Sequence, residues 1–421
     1  MVSRISRFHG SLVGAVVGDC IGAVFEEAWL PGINIDRVLR QVEKIEADNV
    51  SSNSQVISES QNEDRQPRKI YKFTDDTAMA RSVAASLIEE NGLNVKDMAR
   101  RFSEEYFKEP WRGYGGNICL NFQALKESNY LDPFGPASRQ FGGHGSYGNG
   151  GAMRIAPAAL FAFRKQMDLQ KLRELVEPIT KLTHTHPHAV QGAMLESLAV
   201  NLALKTDCLD PDQFIDYLCD KMKIVEDMVE EERRVARADN TDSPDAKRAK
   251  EEIDDDKDEE TDNDKDEMRN QLSYSEKLEK IRTYIKQELQ PDTKEIIEVL
   301  GTDISALNSV PAAVYAFLRA TKEIKGIQDR NPFEKTIIYA ISLGGDTDTI
   351  ATMAGAIAGA YYGIEEVPKS WQEACEGVAD ALQYATRLYD LPIEHQAMQS
   401  ETCQAMKSDK HQDMKSDTHQ D

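Results

Sequence analysis

The chain has 421 residues, 40% of them apolar and 29% charged, with a formal net charge of −23. It is long enough for a large core and too acidic to grip nucleic acid generically through phosphates. Its best apolar run, Ile350 to Ile364, falls short of the roughly 20 residues that cross a bilayer, and Met1–Arg7 lacks the apolar core of a secretory leader.

From residue 8 to 28, glycine recurs at Gly10, Gly14, Gly18 and Gly22 among Leu, Val and Ala. That spacing predicts a helix with one smooth face, where another backbone can approach closely. Glu26 and Glu27 follow beside Trp29 and Pro31, where the chain must leave helical geometry; taken alone, they read as surface glutamates. Residues 45–69 are polar and Ser/Asn-rich and predict a loop. Phe73-Thr-Asp-Asp-Thr77 then opens the helix-favouring run Ala78–Ile88, and helical spacing continues to about residue 130. Strand signals are nearly absent, so an all-α fold is expected.

Phe141-Gly-Gly-His-Gly-Ser-Tyr-Gly-Asn-Gly-Gly-Ala-Met-Arg154 contains a literal G-x-G-x-x-G at Gly143–Gly148. No strand precedes it, so the dinucleotide-fold reading fails its own context. A glycine loop opening a helix over Ala152–Phe163 still suits a phosphate cradle, because backbone N–H groups can point at an anion. Phe141 and Tyr147 could stack on a base, and a merely flexible loop is the alternative. Leu182-Thr-His-Thr-His-Pro-His188 spaces three histidines by two. On a strand they could hold zinc, but Pro187 interrupts, and a hydrogen-bond donor to substrate is the better reading.

From about 229 to 273 the chain becomes hydrophilic and reads as a disordered insertion; Glu251–Glu267 alone holds twelve acidic residues and two lysines. Arg233-Arg234 and Lys247-Arg-Ala-Lys250 within it loosely resemble a bipartite nuclear import signal. Ile296–Ala306 predicts a loop and Ser309–Leu318 a buried helix. Ser342-Leu-Gly-Gly-Asp-Thr-Asp-Thr349 then opens a second small-residue run, with Ala351, Gly355, Gly359 and Gly363 on one face. The chain is helical to Tyr389 and ends in octads beginning at Met398, Met406 and Met414, a low-complexity tail. The organisation expected is one domain over 1–395, interrupted at about 229–273, with a disordered tail at 396–421. Six cysteines (20, 119, 208, 219, 375 and 403) show no paired or metal-type spacing, which predicts buried thiols in a reducing compartment.

The two acidic clusters carry the chemistry. A helix start needs one capping side chain, not three acidic or hydroxyl groups in four residues. Close carboxylates repel unless a cation lies between them, and an oxygen-only set suits Mg²⁺ or Mn²⁺. Decorated N-caps are the alternative. Acidic clusters opening two helices, with a glycine cradle, propose an all-α enzyme holding two hard cations and a phosphate-bearing substrate.

Five motifs in order then resemble the ADP-ribosylglycohydrolase family: Gly18-Asp-Cys-Ile-Gly-Ala-Val-Phe-Glu26, Thr74–Ala80, Gly145–Arg154, Leu182-Thr-His184 and Gly344–Ile350. The likeness is greatest to the branch that removes ADP-ribose from serine and degrades poly(ADP-ribose). The resemblance implies a compact, multi-helix Mg²⁺ enzyme, with Mn²⁺ as a substitute. Thr74, Asp75, Asp76 and Asp348 would hold one ion, and Glu26, Asp346, Asp348 and Thr349 the other. It further implies that His144, Gly145, Ser146, Tyr147, Gly148, Asn149 and Gly150 embrace the diphosphate and adenosine. Phe141 and Tyr147 would lie near the adenine, His184 at the phosphate–ribose part, and Ile304 on the adenine side. Asp75, which also meets the substrate, or Asp76 would serve the attacking water, and Glu26 would occupy a flap over the metals. His144 within the cradle and the charged insertion depart from the family pattern. Expected partners are ADP-ribosylated proteins and ADP-ribose polymers, with neither membrane nor sequence-specific nucleic acid. A monomer in nucleus and cytoplasm, and also in the mitochondrial matrix, is expected, in the DNA damage response. The alternatives are a hydrolase of arginine-linked ADP-ribose, a non-catalytic ADP-ribose binder, or a histone chaperone built on the acidic insertion.

Overall fold

The computed structural model describes residues 2–26, 32–54, 69–241, 271–287, 289 and 291–393. The first half contains α1 (Arg4–Gly22), α2 (Ile35–Ser54), α3 (Asp75–Glu90), α4 (Val95–Lys108), α5 (Ile118–Glu127) and α6 (Gly135–Ser138). Next come α7 (Gly150–Met153), α8 (Ala156–Arg164), α9 (Leu169–Lys181), α10 (Pro187–Lys205) and α11 (Pro211–Thr241). The remainder is α12 (Tyr274–Lys286), α13 (Thr293–Leu300), α14 (Ala306–Arg319), α15 (Pro332–Ser342), α16 (Thr347–Tyr362), α17 (Lys369–Ala374) and α18 (Val378–Asp390). Among the described residues there is no strand, only two isolated bridges, Tyr71 to Cys375 and Gly148 to Ser305. None of these helices is long and apolar enough to cross a membrane.

The two glycine-striped helices, α1 and α16, form the central pair. A Cβ on Gly14 would run into the Gly355 carbonyl, and one on Gly355 into the Gly14 carbonyl; Gly10 and Gly359 repeat the relation. At the far end, a Cβ on Gly22 would lie 2.6 Å from the Cα of Asp348. Backbones this close leave no room for side chains, so α1 fixes where the acidic start of α16 sits. The outer layer packs α10, α14 and α15 on α16, and α8 and α18 on α1.

Four expectations need correction. The loop expected over 45–69 begins as helix: α2 runs to Ser54 because Val38, Val42 and Ile45 bury one face, and Glu46 accepts a 3.1 Å bond from Trp371 Nε1. Residues 55–68 lie outside the described residues. The insertion expected from 229 likewise starts inside a helix. Leu218, Met222, Val225 and Val229 continue the buried stripe of α11, and Arg173 grips Glu232 at 2.6 and 2.7 Å. Its core, 242–270, and the tail from 394 lie outside the described residues, while Ser273 already caps α12 in a capping box with Glu276. The helix expected over Ala152–Phe163 is split into α7 and α8, with Pro157 in the first turn of α8 and Arg154 turned into the interior. Lastly, Cys20, Cys219 and Cys375 are buried as expected, but Cys119 is half-buried and Cys208 exposed; all five are free thiols.

Candidate active site

One cavity of about 270 Å³ opens where α1, α3, α7 and α16 converge. Its acidic wall begins at α3, whose first two residues are Asp75 and Asp76 and whose N-cap is Thr74, accepting from Asp76 N at 3.3 Å. Asp75 N donates to the Arg112 carbonyl at 2.7 Å. Opposite, Gly344 and Gly345 take φ of +75° and +70°, so the chain turns sharply into α16. Asp346 stands at the N-cap of α16 without capping it; its carboxylate instead accepts from Asn149 Nδ2 at 2.6 Å. The Asp348 carboxylate accepts from Thr349 N at 2.9 Å, and the Thr349 hydroxyl reaches Asp76 Oδ1 at 3.4 Å. Glu26, just past α1, completes the wall.

These carboxylates disfavour charge together. Burial, then neighbouring Asp19, raises Asp75 to about 8. Burial, then the negative charge of Asp19 and Asp75, pushes Asp76 well above the usual range; burial and Asp346 do the same for Asp348. Glu26 is raised by burial and by Asp346. The buried Oδ2 of Asp76 makes no hydrogen bond, and the nearby Thr352 hydroxyl offsets only part of the rise. Among the described residues, no three His, Cys, Asp or Glu side chains are drawn together as a ready metal cluster.

The second wall is the glycine loop. It is tied down by Asn149 N to the Ile304 carbonyl (2.9 Å), Ala306 N to the Tyr147 carbonyl (3.0 Å) and His186 N to the Ser146 carbonyl (3.3 Å). Ser146, Gly148, Asn149 and Gly150 line the cavity, with His184 behind them and half-exposed Phe141 and Ile304 at the rim. Any Cβ at Gly150 would collide with the His184 ring. The three histidines share no strand: His184 follows the turn after α9, His186 caps α10 and His188 lies in its first turn. Thus Glu26, Asp75, Asp76, Asp346, Asp348 and Thr349 meet Phe141, Ser146, Gly148, Asn149, Gly150, His184 and Ile304 around one space. Thr74, His144, Gly145 and Tyr147 lie outside this lining; Tyr147 is half-exposed and meets His186 edge-on, ring centroids 5.9 Å apart.

Sequence reasoning missed several participants. Asp19, fully buried on α1, accepts from Thr74 N at 2.9 and 3.1 Å, from Thr77 N at 3.1 Å and from the Thr77 hydroxyl at 2.5 Å. It thereby caps α3 from another helix and fixes the two aspartates that start it; its place in Gly18-Asp19 was the available signal. Residues 113–118 also line the cavity, with Gly113 at φ +90°, and Arg112 anchors that loop by bonds to Glu376 (2.6 Å) and the Phe73 carbonyl (3.0 Å). Arg154 and Thr183 complete the floor.

One cavity in an all-helical body thus carries an acidic wall and a glycine cradle. The ADP-ribosylglycohydrolase family profile matches residues 1–397, and the chain belongs to that family. It is 39% identical over 391 residues to ADP-ribosylhydrolase ARH3 of Danio rerio, covering 93% of this chain and 92% of the relative. The Homo sapiens protein of the same name is 38% identical, covering 89% and 90%. The fold also matches a solved structure titled ADP-ribosylglycohydrolase-related protein complex, with TM-score 0.53 and 21% identity over 92% of this chain and 98% of that one. The protein is thus a hydrolase, with the activity of an ADP-ribosylhydrolase.

Proposed function

We propose that the enzyme cleaves the C1″ glycosidic bond joining ADP-ribose to serine side chains of proteins, and likewise acts on poly(ADP-ribose) and O-acyl-ADP-ribose. The observation that carries this reading is the pairing of the acidic pole with the glycine cradle on one cavity. A diphosphate suits backbone N–H groups, and a cation suits crowded carboxylates. The donor set fits Mg²⁺, being oxygen-only, with one buried carboxylate oxygen of Asp76 left without a hydrogen bond. Thr74, Asp75, Asp76 and Asp348 would hold one ion, and Glu26, Asp346, Asp348 and Thr349 a second. Bound there, two Mg²⁺ would supply positive charge to the 2″ and 3″ hydroxyls of the ribose, and Mn²⁺ could replace them.

The chain's own residues do the rest. Ser146–Gly150 hold the diphosphate, leaving the adenine to Phe141, Ile304 and a reoriented Tyr147, with His144 and Gly145 shaping the loop. That places C1″ against α3, where negative charge stabilises the oxocarbenium-like transition state. The C1″–serine oxygen bond breaks as water oxygen adds. Asp75 or Asp76 takes the water proton, and a proton returns to the serine oxygen. Glu26, on the segment that leaves α1, gates the ribose. We further propose a monomer working in nucleus and cytoplasm, and also in the mitochondrial matrix, which fractionation of tagged protein tests. Serine- and arginine-ADP-ribosylated peptides, incubated with Mg²⁺ or chelator, separate the linkages. Release from serine only, lost in chelator, is expected; release from arginine alone would move the enzyme to another branch of the family.

A further inference from the structure

Arg154 is buried to 1% exposure yet forms no ion pair among the described residues. Its guanidinium lies over the Phe102 ring at 4.7 Å. Nη2 donates to the Ile179 carbonyl at 2.9 Å and to the Thr183 hydroxyl oxygen at 2.7 Å. An arginine enclosed this way, with Asp75 acting on it only from beyond ion-pair range, needs a reason, since a buried charge is costly to leave unpaired.

The Thr183 oxygen also lies 2.7 Å from Nδ1 of His184. A hydroxyl has a single proton, and a guanidinium can only donate. With Arg154 donating into the oxygen, the Thr183 proton is free to point at His184, the sole acceptor within reach of it among the described residues. The alternative, Arg154 and Nδ1–H both donating into the oxygen, would leave the buried Thr183 proton without an acceptor, so Nδ1 is bare and the ring hydrogen sits on Nε2. That nitrogen faces the glycine loop, where a Cβ on Gly148 would lie 3.2 Å from it and one on Gly150 2.9 Å.

We propose that Arg154 and Thr183 are positioning residues that lock His184 in its neutral, Nε2-protonated tautomer, presenting a fixed hydrogen-bond donor to the cradle. Burial and the Arg154 charge together push the His184 pKa down to about 3, which agrees with a ring that stays neutral. A neutral donor of this kind binds a phosphate oxygen without taking or giving a proton. His184 therefore orients the substrate and does no acid–base work. Its use toward a diphosphate rests on the function proposed above; the tautomer does not.

The test is ¹⁵N NMR of histidine-labelled full-length protein at neutral pH, with His184 assigned by His184→Gln, and ADP-ribose affinity measured by calorimetry alongside. The expected spectrum shows a protonated Nε2 and a bare Nδ1. Thr183→Val, which removes the hydroxyl, should release His184 into exchange between its two neutral tautomers and weaken ADP-ribose binding by about tenfold, the scale of one hydrogen bond lost. Thr183→Ser should restore both. A protonated Nδ1 or an imidazolium in the unaltered protein overturns the proposal, even if Thr183→Val fails to fold. So does a tautomer unmoved by Thr183→Val. A tautomer that shifts while ADP-ribose affinity stays constant upholds the relay and removes the diphosphate from the cradle.

Discussion

Cation binding and pH should be coupled through the acidic wall, in a direction the geometry fixes. Without metal, buried Asp75 titrates near 8 against an ordinary value of 3.8, and Asp76 and Asp348 are raised well above theirs. Between about pH 4 and 8, the folded cation-free protein therefore holds protons that the unfolded chain has released. A raised carboxylate of this kind stabilises the fold at the acid end, and its contribution is lost as pH climbs through 8. Mg²⁺ must displace those protons, so its benefit grows over the same window. Two sites each filled at a hundredfold excess over Kd add about 5 kcal/mol. For a body of this size that corresponds to about 7 °C in melting temperature. Calorimetric melts with Mg²⁺ or with EDTA, at pH 5 and pH 8 and matched ionic strength, read the difference. The increment should be near its full size at pH 8 and small at pH 5. Equal increments at both pH values, or the same increment from sodium, would refute the reasoning.

Three other outcomes follow from single substitutions. Gly355→Ala puts a methyl group against the Gly14 carbonyl and should lower the urea midpoint by the equivalent of about 1–3 kcal/mol or more, as overpacking does; an unchanged midpoint would mean α1 and α16 can part freely. Asp19→Asn turns one of two acceptor oxygens into a donor facing Thr74 N, Thr77 N and the Thr77 hydroxyl. It should cost about 1–3 kcal/mol and weaken Mg²⁺ binding in a calorimetric titration, and a wild-type Mg²⁺ affinity would free α3 from that clamp. Tyr147→Ala should weaken ADP-ribose binding by about 1–3 kcal/mol if the ring leaves His186 to stack on adenine; unchanged affinity would leave it as a partner of His186 alone.

The placement of the cavity's residues was legible wherever they are neighbours in sequence. Asp75 with Asp76, and Asp346 with Asp348, are each packed into four residues at a helix start, an arrangement capping does not need. The glycine stripes of α1 and α16 were equally plain, because a period of four leaves one interpretation once a helix is granted. Glu26 was legible only through the family resemblance, since one glutamate after a helix is ordinary surface chemistry until Asp346 and Asp348 arrive beside it. Asp19 escaped for a related reason: its partners are the backbone of Thr74 and Thr77, and backbone donors have no sequence signature. Arg154 looked like the end of a glycine loop and proved to be buried among α9 carbonyls. The polar stretches misled in one direction. In α2 and α11 the charged residues Glu43, Lys44 and Asp48, and those at 230–234, are exposed, and that polarity hid the helix beneath, which is held by one buried stripe ending at Ile45 and Val229.

The central claim is that the acidic wall and the glycine cradle act on one substrate to free ADP-ribose from serine. It is tested most directly by following ADP-ribose release from a serine-ADP-ribosylated peptide in the presence of Mg²⁺, for the unaltered protein and for Asp348→Asn. That substitution keeps the shape of a side chain assigned to both metal sites while removing its charge. Release by the unaltered protein, falling by at least a hundredfold in Asp348→Asn with no loss of folded structure by circular dichroism, is the predicted result. Equal release by the two proteins, or full release in EDTA, would contradict the account and leave the acidic wall without a part in the reaction.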